Sequence, residues 1–177
     1  MAYGNAKAVS KALQRLVKAG EIERVAVGIY VRPVMDTIIG KVSTSVEDIA
    51  KAIARRDRAR IVPTGDYALN RLGLSAQVPL KVVFLTDGAA RKIKIRNTSI
   101  TFKKTAPKNV AAVGEISRLS IQALRSIGKE KVIADEIKKI QQVLGKEKKS
   151  KLEYDIRLAP VWIREIMKPA LNQMADE

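Results

Sequence analysis

Apolar residues recur at helical spacing over Ala6–Ala19: Val9, Ala12, Leu13, Leu16 and Val17 occupy positions i, i+3, i+4, i+7 and i+8. Lys7, Lys11, Gln14 and Lys18 cluster on the opposite face, flanked by Ser10 and Arg15. Asn5 is placed to cap the start and Gly20 to end the helix. Over Glu21–Arg32 the period shortens. Ile22, Val25, Val27, Ile29 and Val31 predict two short strands with a bend at Gly28, closed by Pro33. Val34–Thr44 reads as a connection, and Ser45–Arg56 as a helix that buries Val46, Ile49, Ala50 and Ile53, with Ser45 and Asp48 as a variant capping box.

Further on, a short strand at Arg60–Val62 runs up to Pro63, and Gly65–Leu72 forms a small helix stopped by Gly73. Lys81–Thr86 has the continuous apolar run of a buried strand, and Asp87-Gly88 marks a turn. Arg91–Arg96 and Thr98–Lys103 alternate around a bend at Asn97, which predicts a hairpin with Ile93, Ile95, Ile100 and Phe102 inward and one basic face outward. Val110–Ile127, Lys131–Leu144 and Lys148–Met174 have helical spacing; Gly128 and Gly145 separate them, and Pro160 and Pro169 kink or divide the last. The fold class expected is α+β. Residues 1–33 form a helix plus β-hairpin wing, a partial winged helix; residues 34–177 form a mixed α/β domain with a small antiparallel sheet and C-terminal helices.

Charge changes the picture most. The 177 residues carry a formal net charge of +16, with neither histidine nor cysteine. Arg91–Lys108 holds seven basic residues and no acid: Arg91, Lys92, Lys94, Arg96, Lys103, Lys104 and Lys108. A surface of that sign attracts polyanions. The missing residue types remove the usual proton shuttle, the thiol nucleophile and most metal-site designs. No catalytic residue, metal site or cofactor is therefore expected. Aromatic residues are only 4%, which argues against recognition by base stacking. No disulfide framework, signal peptide or membrane-spanning run is present, so the chain reads as cytoplasmic, with no membrane partner.

Two basic surfaces are candidates for function. The polar face of the first helix holds no acid, unlike the mixed-sign face of a merely solvated helix. Followed at once by a basic hairpin, it suits the reading helix and wing of a DNA-binding module. Lys7, Ser10, Lys11 and Gln14 are the candidates for base edges, and Arg15, Lys18, Arg24 and Arg32 for phosphates. In the second hairpin, Arg91, Lys92, Lys94, Arg96, Lys103 and Lys104 suit either backbone phosphate or an acidic partner protein; a solvated, lysine-protected sheet face is the plainer alternative. For a metal-dependent nuclease, Asp87 with Lys92 or Lys94 and Glu115 is the nearest approach, but Asp87 sits in a turn dipeptide that favours aspartate for local reasons.

The stretch Pro63–Pro79, PTGDYALNRLGLSAQVP, followed by Val83–Lys104, VFLTDGAARKIKIRNTSITFKK, resembles the antitoxins of bacterial type IV toxin–antitoxin systems, the abortive-infection group. The spacing of Gly65, Asn70, Gly73, Leu74, Gln77 and Pro79 carries most of that resemblance, and Val9–Pro33 is similar to the end of the family's winged-helix domain. The resemblance implies a transcriptional regulator that binds double-stranded DNA at its own operon and an antitoxin opposing a nucleotidyltransferase-like toxin, without requiring a stable complex with it. It also implies two helices ahead of Ala6–Ala19, for which the sequence from Met1 leaves no room; hence the expectation of a partial module. Gly65, Asn70 and Gln77 also suit a simpler task, shaping a turn and capping a helix.

Overall fold

In a computed structural model, residues 5–36, 40–42, 44–95 and 98–174 are described. Among them lie seven α-helices and eight strands, a mixed α+β architecture. The first helix, α1 (Ala6–Lys18), begins where Asn5 Oδ1 accepts the Lys7 N–H at 3.2 Å. It ends in a left-handed Gly20, and the Glu21 N–H reaches back to the Leu16 carbonyl. Strands β1 (Glu23–Ala26) and β2 (Ile29–Val31) pair antiparallel across a turn at left-handed Gly28. The stretch expected as a plain connection contains a further hairpin, β3 (Val34–Asp36) with β4 (Gly40–Val42). Helix α2 (Val46–Arg56) starts at Ser45, whose Oγ accepts the Asp48 N–H at 3.1 Å and donates to the Asp48 carboxylate at 2.7 Å.

Strands β5 (Ile61–Thr64), β6 (Lys81–Thr86), β7 (Arg91–Ile95) and β8 (Thr98–Lys104) form one sheet, in the order β5-β6-β8-β7. This sheet is mixed rather than antiparallel, because β8 returns between β6 and β7 and runs parallel to β6. Strand β8 takes the centre and β7, with Arg91, Lys92 and Lys94, the edge, where charge discourages pairing with another chain. Pro63 does not end β5. It lies inside the strand, opposite Phe84, and an edge strand tolerates the missing N–H. Between β5 and β6 lies the short helix α3 (Asp66–Arg71).

Ile49, Ala50 and Ile53 of α2 share one core with Val82, Phe84, Ile95, Ile100 and Phe102 of the sheet. Val25 of β1 is buried in the same core, and Ala26, Ile29 and Val31 pack on it, so the first hairpin is anchored to α2 and the sheet. In contrast, α1 has no buried residue. Helix and hairpin are both present, but among the described residues no helix packs on the apolar face of α1 to complete a winged-helix core.

The C-terminal part is helical: α4 (Glu115–Ile127), α5 (Ala134–Leu144), α6 (Lys149–Leu158) and α7 (Val161–Gln173). Residues 107–110 form a 3₁₀ turn, and α4 starts five residues later than the spacing from Val110 suggests. Pro160 divides α6 from α7, whereas Pro169 remains inside α7. Leu124, Ile140, Leu144, Leu152, Ile163 and Met167 close the helical core, and Leu119 and Ala123 of α4 pack against Ala68 and Leu72. Helix α4 therefore joins the helical core to the α3 side of the sheet.

Candidate nucleic-acid interface

Amphipathic spacing sets Ser10, Gln14 and Lys18 along one side of α1, and the β1–β2 pairing sets Arg24 opposite Tyr30. These five residues meet. With Val17 they line a groove of about 350 Å³ between helix and hairpin, and no acid is among the lining residues. Lys7, Lys11 and Arg15 are exposed on α1 outside the groove lining, and Arg32 is exposed just beyond β2. Tyr30 was not singled out by the sequence reading. Its signal lay in the strand alternation, which places it two residues before the exposed Arg32 and on the face of Arg24.

The second basic surface divides into two faces. Register puts Lys92 opposite Thr101 and Lys94 opposite Ser99, and it aligns Lys103 with Leu85 and Ser99 with Lys81. Lys81, Lys92, Lys94 and Lys103 thus share the sheet face turned away from the α2 core, with no acid at any strand position on that face. Arg91 points the other way. It pairs with Asp57, and its guanidinium lies 5.4 Å from the centre of the Phe102 ring. Lys104 is exposed at the end of β8, opposite Thr86. Arg96 lies outside the described residues, as does the bend at Asn97.

The central block is occupied with local structure. Gly65 caps α3 at a φ of 64°, and Gly73 follows its end at 70°. Asn70 donates from Nδ2 to the Ser75 carbonyl at 3.1 Å, and the Gln77 N–H donates to Ser75 Oγ at 3.2 Å. Pro79 is half-buried just before the exposed Leu80. Gly65, Gly73 and Asn70 thus shape turns around α3, while the Gln77 contact is made by its backbone alone.

Asp87 accepts from both the backbone N–H (2.7 Å) and Nε (2.8 Å) of Arg60. Burial raises its pKa, but these hydrogen bonds and the Arg60 charge more than offset that and hold the carboxyl below its usual 3.8. Asp87 therefore fastens the β6 end to the β5 start. Among the described residues no group of three or more acidic side chains lies close enough to hold a metal ion.

Residues 1–152 match DUF6088, a family of unknown function. The chain belongs to this family. The DUF6088 match covers α1, the first hairpin, the whole sheet and α3 to α5, and stops within α6. Both basic surfaces therefore lie inside the family region. No curated protein and no solved structure matches the chain. Among the described residues of this DUF6088 chain, no helix is long and apolar enough to cross a membrane.

Proposed function

We propose that this DUF6088 chain is a DNA-binding transcriptional regulator, acting in the cytoplasm and without catalysis of its own. In this reading α1 enters the major groove of double-stranded DNA and the β1–β2 hairpin rests on the backbone. The observation that carries it is the acid-free groove where Ser10, Gln14 and Lys18 of α1 meet Arg24 and Tyr30 of the hairpin. Gln14 and Lys11 have the chemistry for base edges, adenine and guanine respectively. Arg15, Lys18 and Arg24 supply phosphate contacts, which set register and carry no sequence information themselves. The likeness of the central block to type IV antitoxins gives such binding a purpose: control of the protein's own operon, with opposition to a nucleotidyltransferase-like toxin encoded there.

A second reading rests on the other surface. Lys81, Lys92, Lys94 and Lys103 on one open sheet face suit an acidic partner protein, which would dock without DNA specificity. A titration against the DNA upstream of the gene, beside scrambled DNA and at two salt concentrations, separates the two. The regulator reading expects selective binding whose log–log salt slope is roughly −0.9 per phosphate neutralised. Equal affinity for both DNAs, erased by salt, contradicts it.

A further inference from the structure

A third basic cluster lines a cleft that shares no residue with the groove at α1. Lys51 and Arg55 of α2, Arg60 before β5 and Arg118 of α4 line a cleft of about 590 Å³ floored by apolar residues that include Ile61 and Val110. No acid is among its lining residues. Two of the four cations are already engaged from outside it: Lys51 with Glu47 at 2.8 Å and Arg60 with Asp87 at 2.8 Å. Arg55 and Arg118 have no carboxylate partner among the described residues. Arg118 is half-buried and its Nε is shielded from solvent without an acceptor. With no carboxylate to neutralise them, Arg55 and Arg118 give the cleft a positive wall suited to an anionic ligand.

We propose that this cleft binds a free nucleotide, its phosphates held by Arg55 and Arg118 and its base or sugar laid on the apolar floor. One-sign walls over a low-dielectric floor concentrate the field on an incoming anion. The volume falls within the range of small-molecule sites, roughly 300–1,000 Å³, and far exceeds what a bare phosphate fills. The floor is aliphatic, so the base packs on it without aromatic stacking. Helix α2 also supports the first hairpin, so an occupied cleft would abut an element that carries the DNA-facing surface. The proposal stands independently of the DNA reading.

The test is calorimetric titration of the full chain with ATP and, separately, with pyrophosphate, near physiological salt and without divalent cations. The proposal expects saturable one-to-one ATP binding that is tighter than pyrophosphate binding. Arg55→Gln with Arg118→Gln should weaken ATP by at least about tenfold, as expected for losing two charge-assisted contacts. Lys138→Gln with Lys139→Gln should change it by less than about twofold, since those exposed α5 lysines do not line the cleft and act only through screened charge. Arg55→Gln alone, at an exposed helix position, gives the same direction of change if the double variant fails to fold. Absence of ATP binding, or equal losses in the cleft and α5 variants, overturns the site. Equal affinity for ATP and pyrophosphate overturns the nucleotide assignment, since the floor would then contribute nothing.

Discussion

Asp155 of α6 accepts the Gly114 N–H at 2.7 Å across 41 residues of sequence, and so fixes where α4 begins. The same carboxylate accepts the Val113 N–H at 2.8 Å and the Ser117 hydroxyl, while Glu147 accepts the Ile116 N–H at 2.8 Å. A helix start leaves backbone N–H groups without partners, and here two acids from distant parts of the chain supply them. Asp155→Ala leaves buried donors unsatisfied and should cost roughly 3 kcal/mol, a fall in Tm on the order of 10 °C by thermal melt. A loss below about 1 kcal/mol would show that water replaces the carboxylate. Gly114→Ala should also destabilise, because a Cβ there would stand 2.6 Å from Glu147 Oε2 and against Ser117 Oγ.

That arrangement explains why the sequence misplaces the start of α4. Val110 to Val113 continue the apolar spacing, but the cap is set by residues 147 and 155, which no local pattern connects to 114. Signals that are local were legible: Asn5 and Ser45 as caps, Gly20 as a stop, β7 and β8 as a hairpin. Non-local pairing was not. The parallel β6–β8 contact, the burial of Val25 against α2 and the approach of Arg118 to Arg55 depend on how elements meet. Pro63 misled because proline ends most strands, and its tolerance at an edge depends on sheet order. The polar face of α1 was readable from spacing; its meeting with Arg24 and Tyr30 became visible only with the hairpin in place.

Arg58 follows α2 with φ at 52°, a left-handed conformation that favours glycine. It is exposed, and its N–H caps the Arg55 carbonyl at 3.1 Å. Arg58→Gly should stabilise the fold by about 1 kcal/mol, raising Tm by roughly 2–4 °C. An unchanged or lower Tm would mean that the arginine side chain offsets its backbone strain.

The lack of burial in α1 has a measurable consequence. Val9→Ser in α1, at a residue 44% exposed, should cost no more than about 0.5 kcal/mol in a urea melt, the usual range for a surface substitution. Ile53→Ala, at a residue only 3% exposed, should cost roughly 2–5 kcal/mol. Comparable losses at the two sites would show that the apolar face of α1 is covered in solution.

Glu47 joins α2 to α3: it accepts from Tyr67 Oη at 3.0 Å and pairs with Lys51 at 2.8 Å and Arg71 at 3.3 Å. Burial raises its pKa, but the Lys51 hydrogen bond, the Arg71 charge and the Tyr67 hydroxyl more than offset that and hold it below 4.5. A carboxyl depressed on folding contributes stability above its unfolded pKa and loses it as pH falls through the folded value. Glu47→Gln should therefore be less stable than the parent at pH 7 by roughly 1–2 kcal/mol, with the gap closing below pH 4.5. Tyr67 behaves oppositely. Burial and the Glu47 charge push its pKa up from 10.0 to about 12, so its contribution is lost as pH rises through that window. A gap between parent and Glu47→Gln that stays constant from pH 7 to pH 3 would rule out the ionic link.

The DNA-reading role of α1 is tested most directly by a fluorescence-anisotropy titration of the parent, Lys11→Ala with Gln14→Ala, and Arg24→Ala, each against the upstream DNA and scrambled DNA. The parent should prefer the upstream sequence. The α1 double variant should lose that preference, by about 1–3 kcal/mol for each base contact removed. Arg24→Ala should weaken both DNAs alike and leave the preference intact. If all three proteins bind the two DNAs with the same ratio of affinities, α1 does not read sequence and the regulator account fails.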